Sequence, residues 1–227
     1  MKHMKALKQL LLKYRHGVIL TYFFIYMIWF TYLERTVTTD FHPVYSKLDD
    51  FIPFAEIFIL PYFIWFAYIF LTVAYFFFTS KTDYYKCCAN LFIGMTICLI
   101  IYTLWPNGHH LRVDLETLGR SNIFTSLLSR IYSIDTSTNV FPSIHVFNSV
   151  AAFIAISKNE QLRKIRWLQW STFILTILIC MSTVFLKQHS VLDIFGALAL
   201  NVIMYIIIYI PSWSKSSQTS QELSKAG

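Results

Sequence analysis

The chain is short of charge. Of its 227 residues only 14% are Asp, Glu, Lys or Arg, where a soluble domain carries roughly a quarter. Hydrophobic residues make up 56% and aromatic residues 18%. A chain this size cannot hide so much apolar surface in a water-solvated core, because too much of a small fold is surface. The four cysteines, Cys87, Cys88, Cys98 and Cys180, lie in or beside apolar stretches. They have neither the paired spacing of a zinc site nor the pattern of a disulfide framework. No internal repeat is visible. No two half-spans are broken by Gly or Pro in matching positions, which argues against the inverted-repeat layout of many transporters.

What is present is a series of apolar runs. A membrane-crossing helix needs about 20 mostly apolar residues. Six spans are expected: 17–33, 51–78 with a kink at Pro61, 88–105, a short one from Pro142 to Ser157, 167–186 and 190–210. The fold class is therefore all-α, a polytopic bundle of six transmembrane helices. It divides into a basic arm (1–16), a membrane domain (17–210) and a polar, disordered tail (211–227). The first span is too long and bulky for a cleaved signal peptide and lacks a small-residue cleavage site.

The net charge of +7 raises the question of nucleic acid, but the cations sit between the spans, where topology accounts for them. With six spans, thirteen Lys and Arg fall on one side and six on the other. The positive-inside rule then places both termini in the cytoplasm. The partners expected are the bilayer and a lipid, with no nucleic acid. An integral protein of a bacterial cytoplasmic membrane fits this layout.

Two polar segments interrupt the apolar runs: Phe141-Pro142-Ser143-Ile144-His145, and Ser182 to Asp193. Both fall at the extracytoplasmic boundary of that topology. His189 and Asp193 are four apart and share a helical face. A carboxylate one turn from an imidazole accepts its N–H and leaves the other nitrogen free to attack. An Asp inside a span needs a partner, and His189 is the nearest. Pro142 and Ser143 mark a helix start, and a helix N-terminus offers N–H groups to an anion. His145 at that end has the chemistry of a general acid. Arg112 can fork onto phosphate oxygens, aimed by a tight turn at Asn107-Gly108. The bland readings remain open at this point: interfacial histidines, a packing Asp, a plain helix start, a solvated arginine. For Arg120 and Arg130 the solvated reading is preferred.

Pro142-Ser143-x-His145 followed by Ser182-x6-His189-x3-Asp193 resembles the second and third signature motifs of the type 2 phosphatidic acid phosphatase superfamily. The specific resemblance spans about residues 105–210. It implies a lipid phosphatase or phosphotransferase working through phosphohistidine. His189 would be the nucleophile, Asp193 its support and His145 the acid and base. Arg112, Ser143 and backbone N–H groups such as that of Ile144 would hold phosphate. No metal and no cofactor are called for. His109 and His110, with Asp114, do not complete a metal set.

The sequence departs from the family pattern in places. Trp105 stands where the first motif has Lys, Val113 where it has Pro, Thr183 where the third motif has Arg and Ile144 where the second has Gly. Lys187, four residues after Thr183, is expected to compensate from the same helical face. These departures resemble the inositol phosphorylceramide synthases and sphingomyelin synthases, which transfer a headgroup to a lipid alcohol. The expected activity is hydrolysis of a lipid phosphate, such as phosphatidic acid, phosphatidylglycerol phosphate or a polyprenyl diphosphate. Headgroup transfer and a catalytically silent phospholipid-binding protein are the alternatives.

Overall fold

The computed structural model describes residues 12–210, so most of the basic arm and all of the polar tail lie outside the described residues. A 3-10 stretch, Arg15–Thr21, runs into α1 (Tyr22–Thr36). Then come α2 (Ile59–Thr79), α3 (Lys81–Leu104), α4 (Ile123–Ile134), α5 (Ile144–Lys158), α6 (Arg166–Phe185) and α7 (Val191–Tyr209). The chain is an all-α polytopic membrane protein. Among the described residues, five helices are long and apolar enough to cross a membrane: Arg15–Thr36, Glu56–Thr79, Lys81–Leu104, Arg166–Phe185 and Val191–Tyr209.

The expected fourth span is the exception. α5 has 15 residues, about 22 Å at the rise of an α-helix and short of a ~30 Å hydrocarbon core. It is tolerated because it is central, packed against α2, α3, α6 and α7. Its first residue, Ile144, and Asn159, which follows its last, are buried against protein. Small residues let those neighbours approach: Ala151, Ala152 and Ala155 are buried on α5. Gly94 of α3 lies so close to Phe147 that a Cβ there would come within 1.9 Å of the ring.

Three expectations need correction. The second span does not begin at Phe51. A single turn, Leu48–Phe51, is followed by extended chain, and helix resumes with the 3-10 turn Glu56–Phe58. Pro53 lies in that break, where a missing N–H costs no helical bond. Pro61 does not kink the span, because it lies in the first turn of α2, where the N–H has no intrahelical partner. Asn107-Gly108 is not a tight turn either. It forms strand β2, paired in parallel with β1 (His42–Pro43). Glycine is needed there for close approach, since a Cβ on Gly108 would lie 2.7 Å from the Ser137 carbonyl oxygen and 2.8 Å from the Phe41 ring.

α3 starts seven residues earlier than the apolar run, because Ser80 caps it by accepting the Asp83 N–H. That end is tied to the far end of α5 by Asn159, whose side-chain amide donates to Asp83 (2.8 Å). At the opposite end the Tyr102 hydroxyl donates to the Pro142 carbonyl (2.6 Å). The candidate site lies at this second end, away from the basic Lys158–Arg166 connection.

Candidate active site

The segment joining α6 to α7 is shaped by local hydrogen bonding. The Lys187 N–H goes to Val184 O (3.1 Å), while the Gln188 and His189 N–H groups both go to Thr183 O (2.9 and 3.0 Å). This is a Schellman-type helix end with Lys187 in the left-handed position, φ 54°. Glycine normally sits there, and another residue costs about 1–2 kcal/mol. The Lys187 ammonium donates to the carbonyls of Asp49 (2.8 Å) and Ile52 (2.7 Å), which holds the side chain down. The expected placement of Lys187 on the helical face of Thr183 therefore does not hold. α6 has ended at Phe185, and the charge is directed to the first interhelical loop.

The chain then enters α7 through a capping box. The Ser190 hydroxyl accepts the Leu192 N–H, and the Asp193 carboxylate accepts the Ser190 N–H at 2.9 Å. The box turns Asp193 back over the helix start. There its Oδ2 also accepts the N–H of His189 Nδ1 at 3.0 Å. With Nδ1–H donating there, the neutral ring carries its lone pair on Nε2. Asp193 has no exposed surface, and its Oδ1 has no partner among the described residues. Burial favours the uncharged form of the His189 ring.

α5 delivers the second histidine. Ser143 is its N-cap and accepts the Val146 N–H (3.4 Å). The Ser143 N–H donates to the Asp193 carbonyl (3.2 Å), joining the two helix starts. Among the described residues, the Ile144 and His145 N–H groups have no backbone acceptor. The His145 ring lies between Tyr62 and Trp65 of α2, with centroids at 4.7 and 4.5 Å, and faces the His189 ring at 5.9 Å. His145, His189, Asp193, Ser143 and Ile144 thus come together at one junction.

Arg112 reaches the same loop indirectly. Its guanidinium donates to the carbonyls of Tyr132 (3.0 Å), Asp135 (2.7 Å) and Thr136 (2.8 Å) and to Gln188 Oε1 (2.6 Å). It also stacks over the Tyr132 ring at 4.5 Å. Its neighbour His109 is a latch. Nδ1 accepts the Leu111 N–H (3.0 Å), so Nε2 carries the proton and donates to the Gln188 carbonyl (2.7 Å). Burial pulls its pKa down to about 3, which keeps this donor–acceptor arrangement intact at neutral pH. Trp105 stacks on His42, and Thr183 bonds to the Cys180 carbonyl within its own helix. Neither brings a cation. Among the described residues, no group of three His, Cys, Asp or Glu is placed to hold a metal.

Several contributors escaped the sequence reading. Asn107 accepts the Val140 and Phe141 N–H groups (3.0 and 2.8 Å) and donates to the Trp105 and Phe141 carbonyls (2.9 and 3.3 Å). It fixes the approach to Ser143. Gln188 joins Arg112 and His109 to the histidine loop. Asp49, Tyr62 and Trp65 arrive from the first half of the chain. Only the box Ser190-x-x-Asp193 carried a local signal.

No curated protein and no solved structure matches the chain. Residues 120–216 match the family model described as PAP2 superfamily. The matched segment holds both histidines and Asp193 but begins after Arg112. The match covers 97 of the 227 residues, and over that segment the chain is similar to the PAP2 superfamily.

Proposed function

We propose that the protein is an integral-membrane lipid-phosphate phosphatase acting through a covalent phosphohistidine. The carrying observation is the His189 ring, bonded to Asp193 through Nδ1 and set edge-on to the His145 ring at 5.9 Å. In the first step the Nε2 lone pair forms a bond to phosphorus as the bond to the lipid oxygen breaks. His145, which takes up a proton as the phosphate anion enters beside it, gives that proton to the departing oxygen. Asp193 stabilises the cationic ring that results. In the second step His145 takes a proton from water, and the hydroxide oxygen displaces His189 and releases phosphate.

The Ile144 and His145 N–H groups, the Ser143 hydroxyl and Arg112 supply donors for the phosphate oxygens. Arg112 must exchange some of its present acceptors to take part. The charge pattern supports a site on the extracytoplasmic side, opposite the basic connections. A tail in the bilayer then needs no removal from lipid. The test is phosphate release from a panel of lipid phosphates in EDTA by detergent-purified protein, with a folded His189→Ala control. Release at the normal rate by that variant would remove His189 as nucleophile.

Headgroup transfer is favoured by a separate observation. Trp105 and Thr183 stand at two positions where the family pattern has cations, and Arg112 is already tied to four acceptors. That leaves less positive charge for a phosphomonoester dianion than for a diester. Added inositol or another alcohol would then divert product from free phosphate to a new phosphodiester. Phospholipid binding without any turnover would instead mark a silent site.

A further inference from the structure

Asp49 lies in the loop between α1 and α2, outside the segment matched by the family model. It is 2% exposed. A buried carboxylate is costly unless donors surround it, and Asp49 has three. Its Oδ2 accepts the Ser46 N–H (2.8 Å) and the Ser190 hydroxyl (2.6 Å), and its Oδ1 accepts the Val191 N–H (2.8 Å). Its backbone carbonyl accepts the Lys187 ammonium. Capping the turn Leu48–Phe51 requires only the Ser46 bond. The others cross to residues on both sides of His189.

The bracket has a definite mechanical sense. Lys187, two residues before His189, and Ser190 and Val191, immediately after it, are all anchored to residues 49–52. The bond from the Ser190 hydroxyl to Asp49 also fixes the lone pair that caps Leu192. Freeing that hydroxyl and the Val191 N–H loosens the capping box, and the box is what aims Asp193 at His189.

We propose that Asp49 is a positioning residue for His189, holding the loop so that the ring keeps its Nδ1 bond to Asp193 and its place beside His145. This rests on the reading of His189 as nucleophile. Asp49→Asn keeps the shape but removes the charge and one acceptor. Two readouts on the purified full-length protein separate the possibilities. The first is kcat and KM for phosphate release from a short-chain phosphatidic acid. The second is the 15N ring spectrum of His189, identified by its loss in His189→Gln.

A reacting group displaced by about 1 Å loses about 100-fold in rate. Asp49→Asn should therefore lower kcat by about 30- to 100-fold, leave KM within about two-fold, and shift the His189 ring signals away from the Nδ1–H form. If Asp49→Asn does not fold, Lys187→Met removes the other arm and should give the same kcat-only loss, about ten-fold. An unchanged ring spectrum, or a loss confined to KM, overturns the proposal. If the wild-type protein shows no His189-dependent turnover, the nucleophile reading fails, and the ring spectrum alone decides whether Asp49 holds His189.

Discussion

Replacing Asn107 with alanine isolates the clamp that fixes the approach to α5. The side chain has no exposed surface and makes four hydrogen bonds. Alanine leaves the Val140 and Phe141 N–H groups without their acceptor and strips a donor from two carbonyls. A buried donor left unsatisfied costs about 1–3 kcal/mol. If Phe141, which is only half-buried, recovers a water, the loss is about 3 kcal/mol. For a chain of this length each kcal/mol moves Tm by about 2–4 °C, so a fall of about 6–12 °C is expected. Cys87, Cys88 and Cys98 are buried and free, so a thiol-reactive dye reports unfolding in detergent. His110→Ala, an exposed change on the same segment, is the control and should stay within about 0.5 kcal/mol. An Asn107→Ala protein that melts within about 2 °C of wild type would refute the clamp.

Asp193→Asn should keep the fold, since an amide oxygen can take over both bonds while its NH2 turns to the unpartnered side. Phosphate release should nevertheless fall by about 10²–10⁴-fold, as expected when a histidine loses the charge that supports its cation. Thermal unfolding and initial rates on one preparation check both halves. Asp135 carries the pH signature. Burial first, then the charge of Glu34, raises its pKa from 3.8 to about 7 against the pull of Arg112. A raised carboxyl favours the native state at low pH, and that contribution is lost as pH rises through 7. The stability advantage of wild type over Asp135→Asn should therefore shrink by about 1 kcal/mol between pH 6 and pH 8. The buried histidines act in the opposite sense, but they are common to both proteins and cancel in the difference. Gly94→Ala should destabilise by about 1–3 kcal/mol through overpacking against Phe147, and Phe147→Leu in the same chain should recover part of the loss in melting experiments.

The parts that were legible in the sequence share a local cause. An apolar run is solvated by lipid wherever it lies, so the helical membrane class followed from hydropathy. The helix start at Pro142-Ser143 followed from a proline that gives up no helical bond there, while the capping box at Ser190 went unread. The spacing of four paired His189 with Asp193, but His189 precedes the helix and meets Asp193 through the capping box and not across a helical face. What went wrong was also local information read without its context. Pro61 suggests a kink until the helix is seen to begin beside it. Asn107-Gly108 suggests a turn until Phe41 and Ser137 are seen pressed against the glycine.

By itself, then, the sequence determined an all-α membrane protein with a His, His and Asp constellation at one boundary. Only the tertiary structure decided how that constellation is held. Asp49 bonds to Ser190 and Val191 across more than a hundred residues, Lys187 turns away to the carbonyls of Asp49 and Ile52, and Arg112 spreads over Tyr132, Asp135, Thr136 and Gln188. The physical reason is that a buried donor requires an acceptor but does not specify which one. Backbone carbonyls are chemically alike throughout the chain, so no local pattern encodes the pairing. It is set when the helices pack and bring one loop, rather than another, within about 3 Å.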